Sequence, residues 1–201
     1  MRRAVRAGSL VWLGLALLVA ACSRPPPGPA AEGMIFPPLT VRGDEGQPVP
    51  WPLPPARLRV VNVWAVWCPP CRREMPDLQY LADTLREEGI VVTTLAVEED
   101  PHLVTEFLRR YRLRLPVALI DPHRAEARLG AYEYPLTLLV DAQGVIRLRL
   151  HGALDWRHPG MLALLRDLAA DRRVSAERRK RIIAEARSRF LRQGVKARGD
   201  A

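Results

Sequence analysis

The chain of 201 residues is 48% hydrophobic and 26% charged, enough to bury a core of ordinary size without a disulfide framework, which excludes wholesale disorder. Three cysteines are too few for a cysteine-rich secreted scaffold or a self-contained four-cysteine zinc site. The formal charge of +9 would raise nucleic acid as a partner, but residues 171–201 alone hold 11 Lys/Arg against 4 Asp/Glu, so the basicity belongs to the tail.

Arg2, Arg3 and Arg6 precede an uncharged, apolar stretch from Ala7 to Ser23. A positive start followed by such a run predicts an export signal over residues 1–21, short of the roughly 20 apolar residues that span a bilayer comfortably. Its end, Leu18-Val19-Ala20-Ala21-Cys22, resembles the lipobox of bacterial lipoproteins, which implies a lipidated Cys22 as the mature N-terminus and an extracytoplasmic, membrane-anchored protein of the bacterial cell envelope. An uncleaved signal anchor, or ordinary cleavage leaving a free thiol, also puts the rest of the chain outside the cytoplasm. Export argues against a nucleic-acid partner. Arg24-Pro25-Pro26-Pro27-Gly28-Pro29-Ala30 supports neither helix nor ladder and reads as a semi-rigid linker over residues 22–34.

Residues 35–56 are short apolar pieces broken by Pro and Gly, predicting a small hairpin or an irregular extension. Leu58 to Trp64 is a buried strand by its β-branched run. A helix follows from about Pro69 to Glu88, with Leu78, Leu81, Ala82 and Leu85 on one face and Gly89 as its stop. Ile90 to Val97 is a second buried strand. Next come a helix near His102 to Tyr111, a strand at Pro116 to Ile120 and a short helix over Ala125 to Leu129. Leu136 to Val140 and Val145 to Leu150 form a hairpin about Asp141-Ala142-Gln143-Gly144, and Met161 to Ala169 is a closing helix. The order predicts an α/β domain over 35–170, a central mixed β-sheet flanked by helices.

The basic tail, 171–201, is helical by composition from Ser175 to about Arg192, with Ile182, Ile183, Ala186, Phe190 and Leu191 on a stripe. Such a helix lies on anionic lipid beside the anchor or on an acidic partner, packs its stripe on the domain, or is a solvated appendage.

Trp67-Cys68-Pro69-Pro70-Cys71 sits where a strand turns into a helix. Unpaired N–H groups and the positive end of the dipole at a helix start stabilise a thiolate. Cys68 is therefore the expected exposed nucleophile, and Cys71, one turn inward, attacks the mixed disulfide that Cys68 forms. Neither proline carries an N–H, so Cys71 N–H is the main backbone donor left for Cys68, and the couple is expected to be comparatively reducing.

The segment Val60-Val61-Asn62-Val63-Trp64-Ala65-Val66-Trp67-Cys68-Pro69-Pro70-Cys71-Arg72-Arg73-Glu74-Met75-Pro76 closely resembles the active-site segment of TlpA/ResA-like membrane-anchored thiol-disulfide oxidoreductases of the thioredoxin superfamily. The resemblance runs from about residue 36 to 170 and implies a thioredoxin-like fold. It further implies that Pro135, in Tyr134-Pro135-Leu136-Thr137, is a cis proline facing the cysteine pair, with Tyr134 offering its backbone to an extended substrate. Trp67, Pro69 and Pro70 complete the expected substrate surface, and Tyr132 is a further cleft candidate. Glu133 stands where the family commonly has Gly, which puts the loop conformation and substrate preference in question. Thioredoxin has an Asp six positions before its first cysteine, where this chain has Asn62. The resemblance assigns the proton-shuttling carboxyl instead to Glu99 in Val97-Glu98-Glu99-Asp100, held in an apolar cleft with a raised pKa, and Glu98 is the fallback. Glu74 reads as a helix residue that orders the helix start, contacts partners or is simply solvated.

The resemblance implies an enzyme that keeps particular envelope thiols reduced, in apocytochrome c or in the copper site of a respiratory oxidase. A membrane thiol carrier would supply its electrons. It implies a monomer with no metal and no cofactor beyond the redox-active Cys68–Cys71 disulfide. A cytochrome-c-maturation reductant of the related branch is one alternative. A non-catalytic Cu(I) module, with Cys68 and Cys71 as soft ligands beside Met75 or a His, is another.

Overall fold

The computed structural model describes residues 29–43 and 45–199; the expected signal segment 1–21, Cys22 and most of the Pro-rich linker lie outside them. Seven strands form one sheet: β1 (Leu39–Arg42), β2 (Pro48–Trp51), β3 (Leu58–Trp64), β4 (Ile90–Ala96), β5 (Val117–Leu119), β6 (Leu136–Asp141) and β7 (Ile146–His151), in spatial order β2-β1-β5-β4-β3-β6-β7. β3, β4 and β5 run parallel, and β6 and β7 continue the sheet antiparallel. Residues 35–56 do supply a hairpin, and it extends the sheet through Arg42 opposite Leu119.

β3 is the central strand, buried at all seven residues. Strand alternation sends Leu58, Val60 and Trp64 to one face and Val61 and Val63 to the other, and each set joins a separate hydrophobic cluster. Asn62 belongs by the same alternation with Val60 and Trp64, so a polar side chain enters the core beneath the first helix.

On that face lie α1 (Pro69–Leu85), α2 (Pro101–Arg110), α4 (Pro159–Ala169) and α5 (Ala176–Gly199), and α3 (Pro122–Leu129) covers the other. α2 and α3 begin earlier than the apolar periodicity predicts because each opens on an Asp-Pro pair. Asp100 and Asp121 accept the N–H of His102 and Arg124, and proline at the first helical position is pre-set for the turn. After α1 the chain tightens into a single turn, Arg86–Glu88, and leaves through Gly89 at φ 78°, a left-handed conformation that glycine adopts without steric cost.

α5 runs further than the expected Arg192. It packs on the domain through Ile182, Ala186 and Phe190, all buried, with Ile182 and Ala186 part of the main core. Leu191, predicted on that stripe, is instead 57% exposed, because it lies a full 100° beyond Phe190 around the helix. The Arg73 guanidinium lies over the Phe190 ring at 4.6 Å and against Gly194, where any Cβ would fall 1.7 Å from Nη1. Among the described residues no helix is long and apolar enough to cross a membrane.

Candidate active site

Cys68 caps the N-terminus of α1, with Pro69 and Pro70 as the first helical residues. Its Sγ accepts the Cys71 N–H at 3.3 Å, the one near donor that two prolines leave. Cys68 and Cys71 are joined in a disulfide. In this oxidised form Cys68 is not the exposed residue that its role as nucleophile suggests, since it keeps 4% of its surface and Cys71 none. Trp67 in front of it is 62% exposed, so the sulfur is reached along the indole rather than from open solvent.

The loop before β6 closes the other side. The Tyr134–Pro135 peptide is cis, and the Tyr134 carbonyl oxygen lies 3.6 Å from Cys68 Sγ. Trp67 meets the Tyr134 ring edge-on at 5.6 Å. Together Trp67, Cys68, Pro69, Pro70, Tyr132, Glu133 and Tyr134 line an open cleft of about 490 Å³. Tyr132 is 67% exposed and adds a further aromatic side chain to the cleft lining. The structure thus brings six of the residues predicted from sequence, Trp67, Cys68, Pro69, Pro70, Tyr132 and Tyr134, to one cleft, with Glu133 among them.

Glu99 does not share that enclosure. It sits in the exposed turn between β4 and α2, and its backbone carbonyl accepts a hydrogen bond from Arg42 on β1. The apolar surroundings that the expected proton shuttle needs are absent at this position; Glu98 is half-buried.

The enclosed carboxyl is Glu74. It lies at i+3 from Cys71 on the buried stripe Cys71, Met75, Leu78, Leu81 and Leu85, and none of its surface reaches solvent. Asn62 Nδ2 donates to Oε1 at 2.9 Å, while Leu154 N and Trp156 Nε1 donate to Oε2 at 3.2 and 3.1 Å. Asn62 Nδ2 also donates to Thr137 Oγ1 at 2.9 Å. Burial pushes the Glu74 carboxyl up to about 8, against the pull of these donors toward the charged form. The expectation of a helix-start or solvated residue fails because two other parts of the chain cover the position, β3 through Asn62 and the loop 152–158 through Leu154 and Trp156. Two signals pointed here. An Asn inside an apolar strand requires a buried partner, and a carboxylate four residues before Leu78 falls on the helix's inner stripe.

The loop that binds Glu74 is itself held by α5. Asp155, 1% exposed, accepts from Arg157 N at 2.9 Å, pairs with Arg189 Nε at 2.8 Å and donates its own N–H to Ala186 O at 3.3 Å. Among the described residues no group of three or more His, Cys, Asp or Glu side chains is placed to hold a metal ion.

The profile of the AhpC/TSA family matches residues 33–149. The thiol:disulfide interchange protein DsbE of Allochromatium vinosum is 37% identical over 100 residues, which is 49% of this chain and 54% of that protein. The thiol-disulfide oxidoreductase ResA of Bacillus thuringiensis is 30% identical over 86 residues, 43% of this chain and 50% of that one. The chain therefore spans about half the length of these relatives. Among solved structures, a thioredoxin family thiol:disulfide interchange protein of Chlorobium tepidum superposes with a TM-score of 0.54 at 24% identity, covering 69% of this chain and 97% of that one. StoA of Bacillus subtilis gives 0.51 at 19%, covering 67% and 97%. These two likenesses show a thioredoxin-like fold.

Proposed function

The chain belongs to the AhpC/TSA family, and on that premise we propose that it is a thiol-disulfide oxidoreductase of the type named in its DsbE and ResA relatives, working through Cys68 and Cys71. The observation that carries this reading is the setting of Cys68: a sulfur at a helix N-terminus, accepting one backbone N–H, under the Tyr134 carbonyl and between aromatic walls.

In the reducing direction both cysteines start as thiols. The helix N-terminus and the Cys71 N–H stabilise the Cys68 thiolate, which attacks one sulfur of a substrate disulfide. The Cys68–substrate bond forms as the substrate S–S bond breaks, releasing one substrate thiolate. Cys71 then gives up its proton and attacks Cys68 Sγ. The Cys68–Cys71 disulfide forms, the second substrate thiol leaves, and two electrons have passed to the substrate. The disulfide in the structure is the oxidised end of this cycle, and a dithiol donor, a membrane thiol carrier, resets it.

Cys71 is enclosed, so its proton needs a nearby acceptor. Glu74 is one turn along the same buried stripe with a carboxyl poised near neutrality, and it takes this role better than the exposed Glu99. An extended substrate segment lies along the Tyr134 backbone beside Pro135, and Trp67, Tyr132 and the two prolines cover its side chains. Substrates are disulfides of envelope proteins, in apocytochrome c or oxidase copper-site assembly. On this reading residues 1–21 direct export and lipidation of Cys22 tethers the enzyme to a membrane outside the cytoplasm.

The test is trapping. Cys71→Ala should accumulate mixed disulfides on Cys68 in cells and lose insulin-reductase turnover, while Cys68→Ala loses both. A Cys71→Ala protein that traps nothing and a wild type without turnover reject the assignment. Equilibration with glutathione should give a potential nearer thioredoxin, about −270 mV, than the oxidising end near −120 mV.

A further inference from the structure

We propose that the outward face of α5 is a second membrane contact, fitted to anionic lipid headgroups. This goes beyond the thiol chemistry and takes from the proposed function only the anchor at Cys22.

With Ile182, Ala186 and Phe190 spent on the core, the opposite line of the helix carries Ala184, Ser188, Leu191 and Val195, all exposed. Leu191 and Val195 are 57% and 67% exposed and lie one turn apart. A soluble helix that has already buried one apolar stripe has no structural need for a second on its solvent side. Cations flank this stripe on both sides, Lys180 and Arg187 on one and Arg181 and Arg192 on the other, all exposed. Glu177 is the one acid near its centre, at the N-terminal end, and Glu185 at the margin faces His158 at 4.0 Å. Apolar side chains in the middle with long basic side chains at the edges is the pattern of a helix lying in the headgroup region. Each basic residue near an anionic surface strengthens binding roughly fivefold.

The short tether allows the same partner. The described chain starts against the end of α3, on the sheet face opposite α5: Pro29 packs on Gly130 and Ala30 N donates to Arg128 O at 3.2 Å, and a relay along the sheet edge, from the Ala30 carbonyl through Arg149 and His151 to Arg187, connects it to α5. Six residues lie between Cys22 and Pro29, a span of about 20 Å in polyproline geometry. A lipid at Cys22 thus holds the domain within reach of the surface. One acyl-type anchor binds reversibly, and a basic patch supplies the second signal that stable attachment needs.

The test places an environment-sensitive fluorophore on the outward face, at Ser188→Cys in the full-length chain with Cys22→Ser and the active-site cysteines oxidised. The protein is mixed with phosphatidylglycerol or phosphatidylcholine vesicles. Phosphatidylglycerol alone should shift the emission blue and shield the probe from iodide, and high salt should weaken the effect. Leu191→Ser/Val195→Ser should abolish the blue shift, and Arg181→Gln/Arg192→Gln should weaken the interaction roughly thirtyfold. Equal emission in both lipids, a blue shift that survives all four changes, or a shift that follows protein concentration without vesicles overturns the proposal. Insulin reduction by the same samples is a separate readout, so failure of the membrane contact and failure of the oxidoreductase reading are told apart.

Discussion

A single carboxyl shows how burial changes what a residue does. Glu74 keeps three N–H donors, yet loss of water outweighs them and leaves its folded pKa at about 8 against 4.5 for the free side chain. The folded state therefore holds a proton that the unfolded chain releases above pH 4.5. Stability from this group is full below about 4.5, declines as the pH rises toward 8, and levels off beyond it; the total fall is on the order of 3–5 kcal/mol. Urea unfolding followed from pH 5 to 9 should show that slope, and Glu74→Gln, which keeps the shape but cannot titrate, should flatten it. The same variant should slow mixed-disulfide resolution and remove the rise in its rate as the pH climbs through about 8. An unchanged profile with a flattened stability curve assigns Glu74 a structural part alone.

At the level of elements, α5 acts on the site through the loop it clamps. The contact runs from Arg189 and Ala186 to Asp155, and from residues 154 and 156 of the same loop to Glu74. Arg189→Ala leaves the buried Asp155 carboxylate with Arg157 N and Gln193 as partners, and should cost about 1–3 kcal/mol in chemical denaturation, since one partner of a buried polar group is lost. Arg114→Ala breaks an ion pair whose two side chains are 82% and 53% exposed and should leave the unfolding midpoint where it is. Phe190→Ala removes a ring that both fills the core edge and carries Arg73, a change on the order of 3–5 kcal/mol.

For the whole molecule, the domain drawn from sequence ends at residue 170, whereas the core continues into Ile182 and Ala186. Thermal unfolding should accordingly show one transition, coincident by sheet and helix signals, and a chain truncated after Val174 should melt well below the full protein and bind an apolar dye. A second, independent transition for the tail would show the packing on the domain to be dispensable. The strands from β3 onward, the start of α1 and the pairing of Cys68 with Cys71 were legible in the linear chain, because a β-branched run, a Cys-Pro-Pro cap and a two-residue spacer act on neighbours along the backbone, whereas the Asp-Pro starts of α2 and α3 went unread. The Tyr134–Pro135 loop was placed by resemblance to known sequences rather than by local pattern. Glu74 was half legible: Asn62 demanded a buried partner, and helical spacing offered this one, but its enclosure depends on residues 154 and 156, about 80 positions away. Glu99 could not be judged locally, because three acids after a strand look the same whether a neighbouring element covers them or not. The tail is the same case, since its composition fixes a helix but not which stripe meets the domain. Local sequence determined conformation, and tertiary structure alone decided exposure, because a side chain's distance from water is set by whichever distant elements fold over it.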